Sequence, residues 1–392
     1  MRRILFITPK MYGGGAEKVT AILASAMARD CKVYLLNLRK ESREDYYVSD
    51  RVNKLFLPDI TSEGYRSDIE VKAEYIRELK KKLRIQCSIS LLEEANFYNV
   101  RSKRDEKVIV SVRNSYKAKY GWPIREAKTA WKLTEYISLS NKIVAISQGV
   151  ADEIDSMWPG HRKKIAVIYN LVDRTELKRL SEEPLSDEIV SFIRDSKVVT
   201  NFGRLVDQKG QLHLVRAFAK VCSKIPDAKL VIAGKGPIEE TLTEEINRLS
   251  LSDRVMLAGR LEDPYPLLKA SRVFVLSSLY EGLSNSLVEA SALGVPMVST
   301  DCLYGPREII AGNSEYAREI SGYSCEKYGI LTQRLNGTDP QGEEGLRNAL
   351  IYLLSNEDAR AKYAAASKER GKDYDVETIL SRWYSILPRE MM

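Results

Sequence analysis

Short, nearly uninterrupted apolar runs alternate along this chain with longer stretches in which apolar residues recur at helical spacing. Runs that lack polar alternation are buried on both faces, as in the strands of a parallel sheet flanked by helices. In the first half, Ile4-Leu-Phe-Ile7 leads through Gly13-Gly-Gly15 into a helix predicted from about Ala16 to Arg29. A strand starting at Lys32, a helix from about Ile69 to Leu83, and apolar runs starting at Cys87, Lys107 and Lys142 continue the alternation. The second half repeats it. Predicted strands at 198–202, 229–233, 255–257, 273–276 and 297–299 enclose helices at about 210–223, 237–249, 264–270 and 285–293. Two open, parallel α/β sheets are the expected architecture.

A polar, charge-dense segment from Asp173 to Ser196, containing Pro184, separates the halves and marks the interdomain boundary. A chain of 392 residues exceeds one ordinary core, which agrees with two domains. The predicted domains are 1–180 and 181–375. A last helix within 376–392, carrying Trp383, is expected to pack back on the first domain.

Composition narrows the class. A hydrophobic content of 44% with mixed charge is that of an ordinary globular protein. No run of 18 apolar residues is present, so no bilayer-spanning helix is expected. The apolar run after Arg2-Arg3 is too short for a signal peptide and reads as a first buried strand. The five cysteines, at 31, 87, 222, 302 and 325, form no Cys-x-x-Cys pair, which fits a reducing cytoplasm and no disulfide framework or thiolate zinc site. The two histidines, His161 and His213, are read as structural, and no metal site is expected.

The net charge of +7 is unevenly spread. Residues 1–170 hold 32 Lys+Arg against 21 Asp+Glu, and the remainder holds 29 against 33. Basic clusters fall at Lys80-Lys-Lys82 with Arg84, at Arg101, Lys103 and Arg104, at Lys117 and Lys119, and at Arg162-Lys-Lys164. No nucleic-acid-binding motif accompanies them, so nucleic acid is not an expected partner. An anionic membrane surface or a phosphorylated lipid is the better reading, beside a merely solvated basic surface. Tyr116, Tyr120, Trp122, Trp131 and Tyr136 lie among lysines, an arrangement that suits lipid headgroups or helix packing equally well.

Four constellations carry chemistry. Gly13-Gly-Gly15-Ala16-Glu17 places glycines and a helix start after the first strand, where backbone amides can approach an anion. It lacks the Gly-x-Gly-x-x-Gly spacing because position 18 is Lys, which makes it a poor dinucleotide site. Gly203-Arg204, followed by Lys209-Gly210, can converge on a diphosphate or form a surface pair. Gly234-Lys235-Gly236 and Gly259-Arg260 end two further strands, as ligand turns or as simple turns. Finally, Glu281 and Glu289 flank Gly282, Ser284, Asn285 and Ser286. On a helix their spacing would span roughly 12 Å, about the length of a sugar nucleotide.

In this order and spacing the motifs resemble the retaining family-4 glycosyltransferases of the GT-B architecture, two Rossmann-like domains facing across a cleft. The resemblance rests on Gly-Gly-x-Glu, Gly-Arg-Leu-x-x-x-Lys-Gly, Ile-Ala-Gly-x-Gly-Pro and Glu-Gly-x-x-x-x-x-x-Glu-Ala followed by Gly-Val-Pro. Ser299 to Glu308 looks most like bacterial enzymes that build lipid-linked O-antigen or capsule oligosaccharides. The resemblance implies a nucleotide-sugar donor, UDP-linked by expectation, bound mainly in the second domain. Arg204 and Lys209 would hold the diphosphate, Glu281 the donor sugar and Glu289 the ribose hydroxyls. Gly203, Gly234, Arg260, Ser284, Asn285, Ser286 and Leu287 would complete the donor pocket, and Gly14 and Gly15 would close on the diphosphate from the first domain. Glu17, Arg113 and Asn114 would lie on the acceptor side. Two cationic side chains can replace a metal, so no cofactor is implied.

Many relatives carry a His where this chain has Arg113, a departure that leaves the role of Arg113 open. The reading is therefore a cytoplasmic hexosyl- or N-acetylhexosaminyl-transferase, peripheral at the inner membrane, that extends a lipid-linked glycan. Its rivals are a nucleotide-sugar epimerase, a non-catalytic nucleotide-sugar-binding protein and, last, a NAD-dependent oxidoreductase.

Overall fold

The computed structural model describes residues 1–40, 46–58, 68–336 and 340–388. The chain divides into two compact units, Met1–Leu171 with Val376–Met392, and Val172–Asp375. The division thus falls at Leu171, ahead of the expected 180.

The first unit is built on β1 (Arg3–Thr8), β2 (Lys32–Asn37), β3 (Asn53–Phe56), β4 (Cys87–Ser90), β5 (Lys107–Val112), β6 (Lys142–Ala145) and β7 (Ile165–Val167). They form one parallel sheet in the order β3-β2-β1-β4-β5-β6-β7. The order reverses between β1 and β4, the place where open α/β sheets bind ligands. Ile4, Phe6, Val33 and Leu35 pack there against Leu23 and Met27 of the helix Gly15–Met27. The helix Val376–Ile386 lays Ile379, Leu380 and Trp383 into this same core, so the chain's last helix completes the first unit.

The second unit contains β8 (Lys197–Phe202), β9 (Ala228–Ala233), β10 (Val255–Leu257), β11 (Val273–Leu276), β12 (Met297–Thr300), β13 (Tyr323–Cys325) and β14 (Ile330–Thr332). Their order is β10-β9-β8-β11-β12-β14-β13, parallel except for β13, which runs antiparallel to β14. The order reverses here between β8 and β11.

One member of the first basic cluster is not a surface residue, although Lys81, Lys82 and Arg84 are exposed. Lys80 belongs to the buried face of the helix Asp68–Lys82, beside Ala73 and Ile76. Its Nζ donates to Glu106 Oε1 at 2.8 Å and to Asn99 O and Oδ1 at 2.9 Å each. Burial lowers its pKa to about 8, with Glu106 opposing the shift. Elsewhere Arg101 pairs with Glu135 and Arg162 with Asp152, which removes further charge from the expected basic face. The aromatic segment is divided in the same way. Tyr116 and Tyr136 are buried with their hydroxyls hydrogen-bonded to each other, while Trp122 and Trp131 are exposed.

Candidate active site

The second unit gathers its chemistry at the C-terminal edge of its sheet. Strand β11 runs directly into Ser277 and Ser278, both fully buried. Gly210, at φ +60°, lies so close that a Cβ there would stand 2.1 Å from Ser277 O. Only glycine permits that approach. It brings the short 3₁₀ turn Asp207–Lys209 against the strand end, where Ser277 Oγ donates to Lys209 O at 2.8 Å. Lys209 Nζ then reaches Glu281 Oε1 at 2.5 Å, and Ser278 Oγ donates to the same oxygen at 2.7 Å. The Lys209 and Glu281 side chains are 18% and 8% exposed, so solvent screens the pair weakly.

Glu281 and Glu289 lie on the two sides of a strand-to-helix junction. The helix begins at Asn285, with Ser284 extended at its N-cap position and a bend at Gly282 and Leu283 before it. Glu281 sits just before that bend, held by a bridge between Tyr280 and Leu303. Glu289 lies inside the helix Asn285–Leu293 and accepts a hydrogen bond from the buried Tyr265 hydroxyl at 3.1 Å. Ser284 and Ser286 hydroxyls bond to each other at 2.8 Å at the helix N-terminus, whose dipole suits an anion. Leu287 is core, with no exposed side-chain surface, so only its backbone can serve a ligand.

Two glycine turns shape the neighbouring edge. Gly203 and Gly234 have φ +155° and +157°, and a Cβ on Gly234 would stand 1.9 Å from Gly203 O. Side chains are thereby excluded beside Arg204, which is exposed, its guanidinium unpaired among the described residues. Arg260 follows Gly259 (φ +64°) and is also exposed.

In the first unit, Gly14 caps the helix Gly15–Met27 in an extended conformation. The carboxylate of the buried Glu17 folds over Gly14, where any Cβ would collide with it. Arg113 directly follows β5 and is half-buried; burial lowers its pKa to about 10, opposed by Glu17, so it stays cationic at neutral pH. Asn114 Oδ1 accepts from Ser115 N–H at 3.0 Å. The buried Glu153 braces this loop, accepting from Ser115 Oγ at 2.7 Å and from Tyr116 N–H at 2.6 Å.

The histidines occupy structural positions: His213 Nδ1 lies 2.8 Å from Glu343 Oε1, and His161 Nδ1 3.1 Å from Trp158 O. Among the described residues, no group of three or more His, Cys, Asp or Glu side chains is placed to hold a metal ion, and no helix is long and apolar enough to cross a membrane. All five cysteines are free. Ser278, Tyr265 and Glu153 were not singled out from the sequence. The small hydroxyls at the end of β11 were the available signal.

Two doubly wound α/β units, each with polar groups at its strand ends, define a two-domain α/β architecture. Residues 13–176 match Glycosyltransferase Family 4 and residues 184–370 match Glycosyl transferases group 1, and the chain belongs to this GT-B group of glycosyltransferases. It is 39% identical over 240 residues to an uncharacterized glycosyltransferase of Methanocaldococcus jannaschii, a match covering 59% of each chain. It is 23% identical, over 99% of its own length and 98% of the relative's, to a Campylobacter jejuni α-1,4-N-acetyl-D-galactosaminyltransferase whose acceptor is an undecaprenol-diphosphate-linked glycan. Among solved structures, Anabaena HepE in complex with UDP and glucose superposes with a TM-score of 0.76 at 17% identity, covering 98% of this chain and 99% of that one.

Proposed function

We propose that the protein is a retaining glycosyltransferase that moves a sugar from a nucleotide sugar, UDP-linked, to a growing lipid-linked surface glycan. The observation that carries the reading is the shielded Lys209–Glu281 pair beside the N-terminus of the helix bearing Glu289. Lys209, with the exposed Arg204, supplies positive charge for a diphosphate leaving group, so charge developing as the sugar–phosphate bond breaks is met without a metal. Glu281 accepts from a hydroxyl of the donor sugar, and Glu289 from the ribose. With no second carboxylate placed as a nucleophile among the described residues of this cluster, the departing diphosphate itself takes the acceptor's proton, on the face where the acceptor enters.

The first unit takes the acceptor by this reading. Arg113 stays charged and suits an acceptor phosphate or sugar hydroxyl, and Glu17 and Asn114 flank it. The activity of the C. jejuni relative supports a lipid-linked acceptor and a hexosyl or N-acetylhexosaminyl group. The surplus of Lys and Arg in residues 1–170, with Trp122 and Trp131 exposed, supports a peripheral position on an anionic membrane surface. A thermal-shift comparison of UDP-, GDP- and ADP-sugars, followed by turnover with the stabilising donor, tests the reading. Unchanged turnover in both Lys209→Ala and Glu281→Ala would refute the site.

A further inference from the structure

Glu281 is held through its backbone as well as its side chain. Its N–H donates to Leu303 O at 2.7 Å, and its carbonyl accepts from Tyr304 N–H at 2.8 Å. Leu303 and Tyr304 belong to the turn 301–305 that leaves β12, so the position of Glu281 is only as fixed as that turn.

Both ends of the turn are anchored. Asp301 N–H donates to Thr332 O at 2.9 Å, and Asp301 O accepts from Arg334 Nε at 2.8 Å. The Asp301 carboxylate is gripped on both oxygens by Arg307, Nε to Oδ1 at 3.0 Å and Nη2 to Oδ2. Both side chains are 1% exposed. At the far end, Gly305 (φ +94°) lies against Gly282, where a Cβ would stand 2.7 Å from Gly282 O. Gly305 N–H donates to Tyr316 Oη at 3.2 Å, and that hydroxyl donates to Glu308 Oε1.

A buried ion pair roughly breaks even in stability against apolar residues of the same volume. A two-pronged guanidinium–carboxylate grip does, however, fix geometry more tightly than apolar packing. We propose that the Asp301–Arg307 pair, with Tyr316 at the other end of the turn, is a positioning device that sets where the Glu281 carboxylate meets the donor sugar. Neither Asp301 nor Arg307 touches the reacting atoms; they act through Leu303 and Tyr304. The proposal rests on the reading that Glu281 contacts that sugar.

The test compares two probes by calorimetric titration of the full chain: UDP, and whichever of UDP-glucose, UDP-N-acetylglucosamine and UDP-N-acetylgalactosamine the wild type binds most tightly. Arg307→Lys is expected to weaken the UDP-sugar about tenfold and Tyr316→Phe about threefold, with UDP itself held within about twofold. In a Glu281→Gln background neither change should weaken the UDP-sugar further. Equal losses for UDP and UDP-sugar, no loss of UDP-sugar binding, or full additivity with Glu281→Gln would overturn the proposal. If Arg307→Lys does not fold, Tyr316→Phe decides, because its ring keeps its edge contact with Tyr304 at 5.0 Å. Glu281→Gln alone separates the two levels. If it leaves UDP-sugar binding intact, the sugar contact and the proposal both fall. If it weakens binding while the folded Arg307 and Tyr316 variants do not, only the positioning device falls.

Discussion

Lys209 Nζ stands 2.5 Å from Glu281 Oε1 although 72 residues separate the two in the chain. The contact exists because Gly210 lets one turn press on the end of β11 and because Leu303 and Tyr304 hold the backbone of Glu281. Glu281→Gln keeps the shape and removes the charge. Turnover of the donor is expected to fall by about a hundredfold or more, the scale seen when one preorganised polar contact to a reacting group is lost. A variant that keeps its circular dichroism spectrum and its full rate would exclude Glu281 from the chemistry.

Tyr265 orients Glu289 through a buried hydrogen bond. Glu289→Ala should weaken UDP binding by about ten- to a hundredfold, and Tyr265→Phe by only a few-fold, since it removes the orienting bond and leaves the carboxylate. Titration of UDP against UDP lacking the ribose 2′-hydroxyl checks this directly. Loss of discrimination between them in Glu289→Ala is expected, and its persistence would place the ribose elsewhere.

Lys80 and Glu106 form a buried pair in the first unit, with side chains 1% and 2% exposed. Lys80→Met strands the carboxylate and should destabilise the unit by about 3–5 kcal/mol. The double variant Lys80→Met, Glu106→Leu should recover much of that loss. Denaturant titration that finds the double variant as weak as Lys80→Met would contradict this account of the pair.

Glu245 gives the second unit an acid-sensitive contact. Hydrogen bonds from Arg248 and then Arg216 outweigh burial and hold its carboxyl at about 2, below the ordinary 4.5. The unfolded chain therefore takes up this proton more readily than the folded one. Stability from the cluster is full above the ordinary carboxylate range and is lost as pH falls from there through about 2. Glu245→Gln should flatten the decline in melting temperature over that window, and an unchanged acid profile would show that the cluster contributes nothing.

The chemistry of the fold was legible where burial was two-sided. Strands β1, β5, β9 and β11 are apolar runs because both their faces lie under other elements. Strands β3, β7 and β13 escaped because they are edges: Asn53–Phe56 is largely exposed and Tyr323–Cys325 is exposed at both ends, so neither leaves an apolar run. Lys209, Glu281 and Glu289 could be found from their spacing to glycines. Tyr265 and Glu153 could not, since their partners are set by tertiary contact and no local pattern marks them. One signal was present and misread. Ala73, Ile76 and Lys80 share one helical face, which places that lysine in the core.

Lys209 and Glu281 should respond in opposite directions to a diphosphate, because one attracts it and the other competes for the lysine. Titration of UDP into Lys209→Met and Glu281→Gln is therefore the most direct test of the site. Affinity is predicted to fall about tenfold or more in Lys209→Met, and to hold or rise in Glu281→Gln. Undiminished UDP binding in Lys209→Met, or an equal loss in both variants, would contradict a nucleotide-sugar site at this pair.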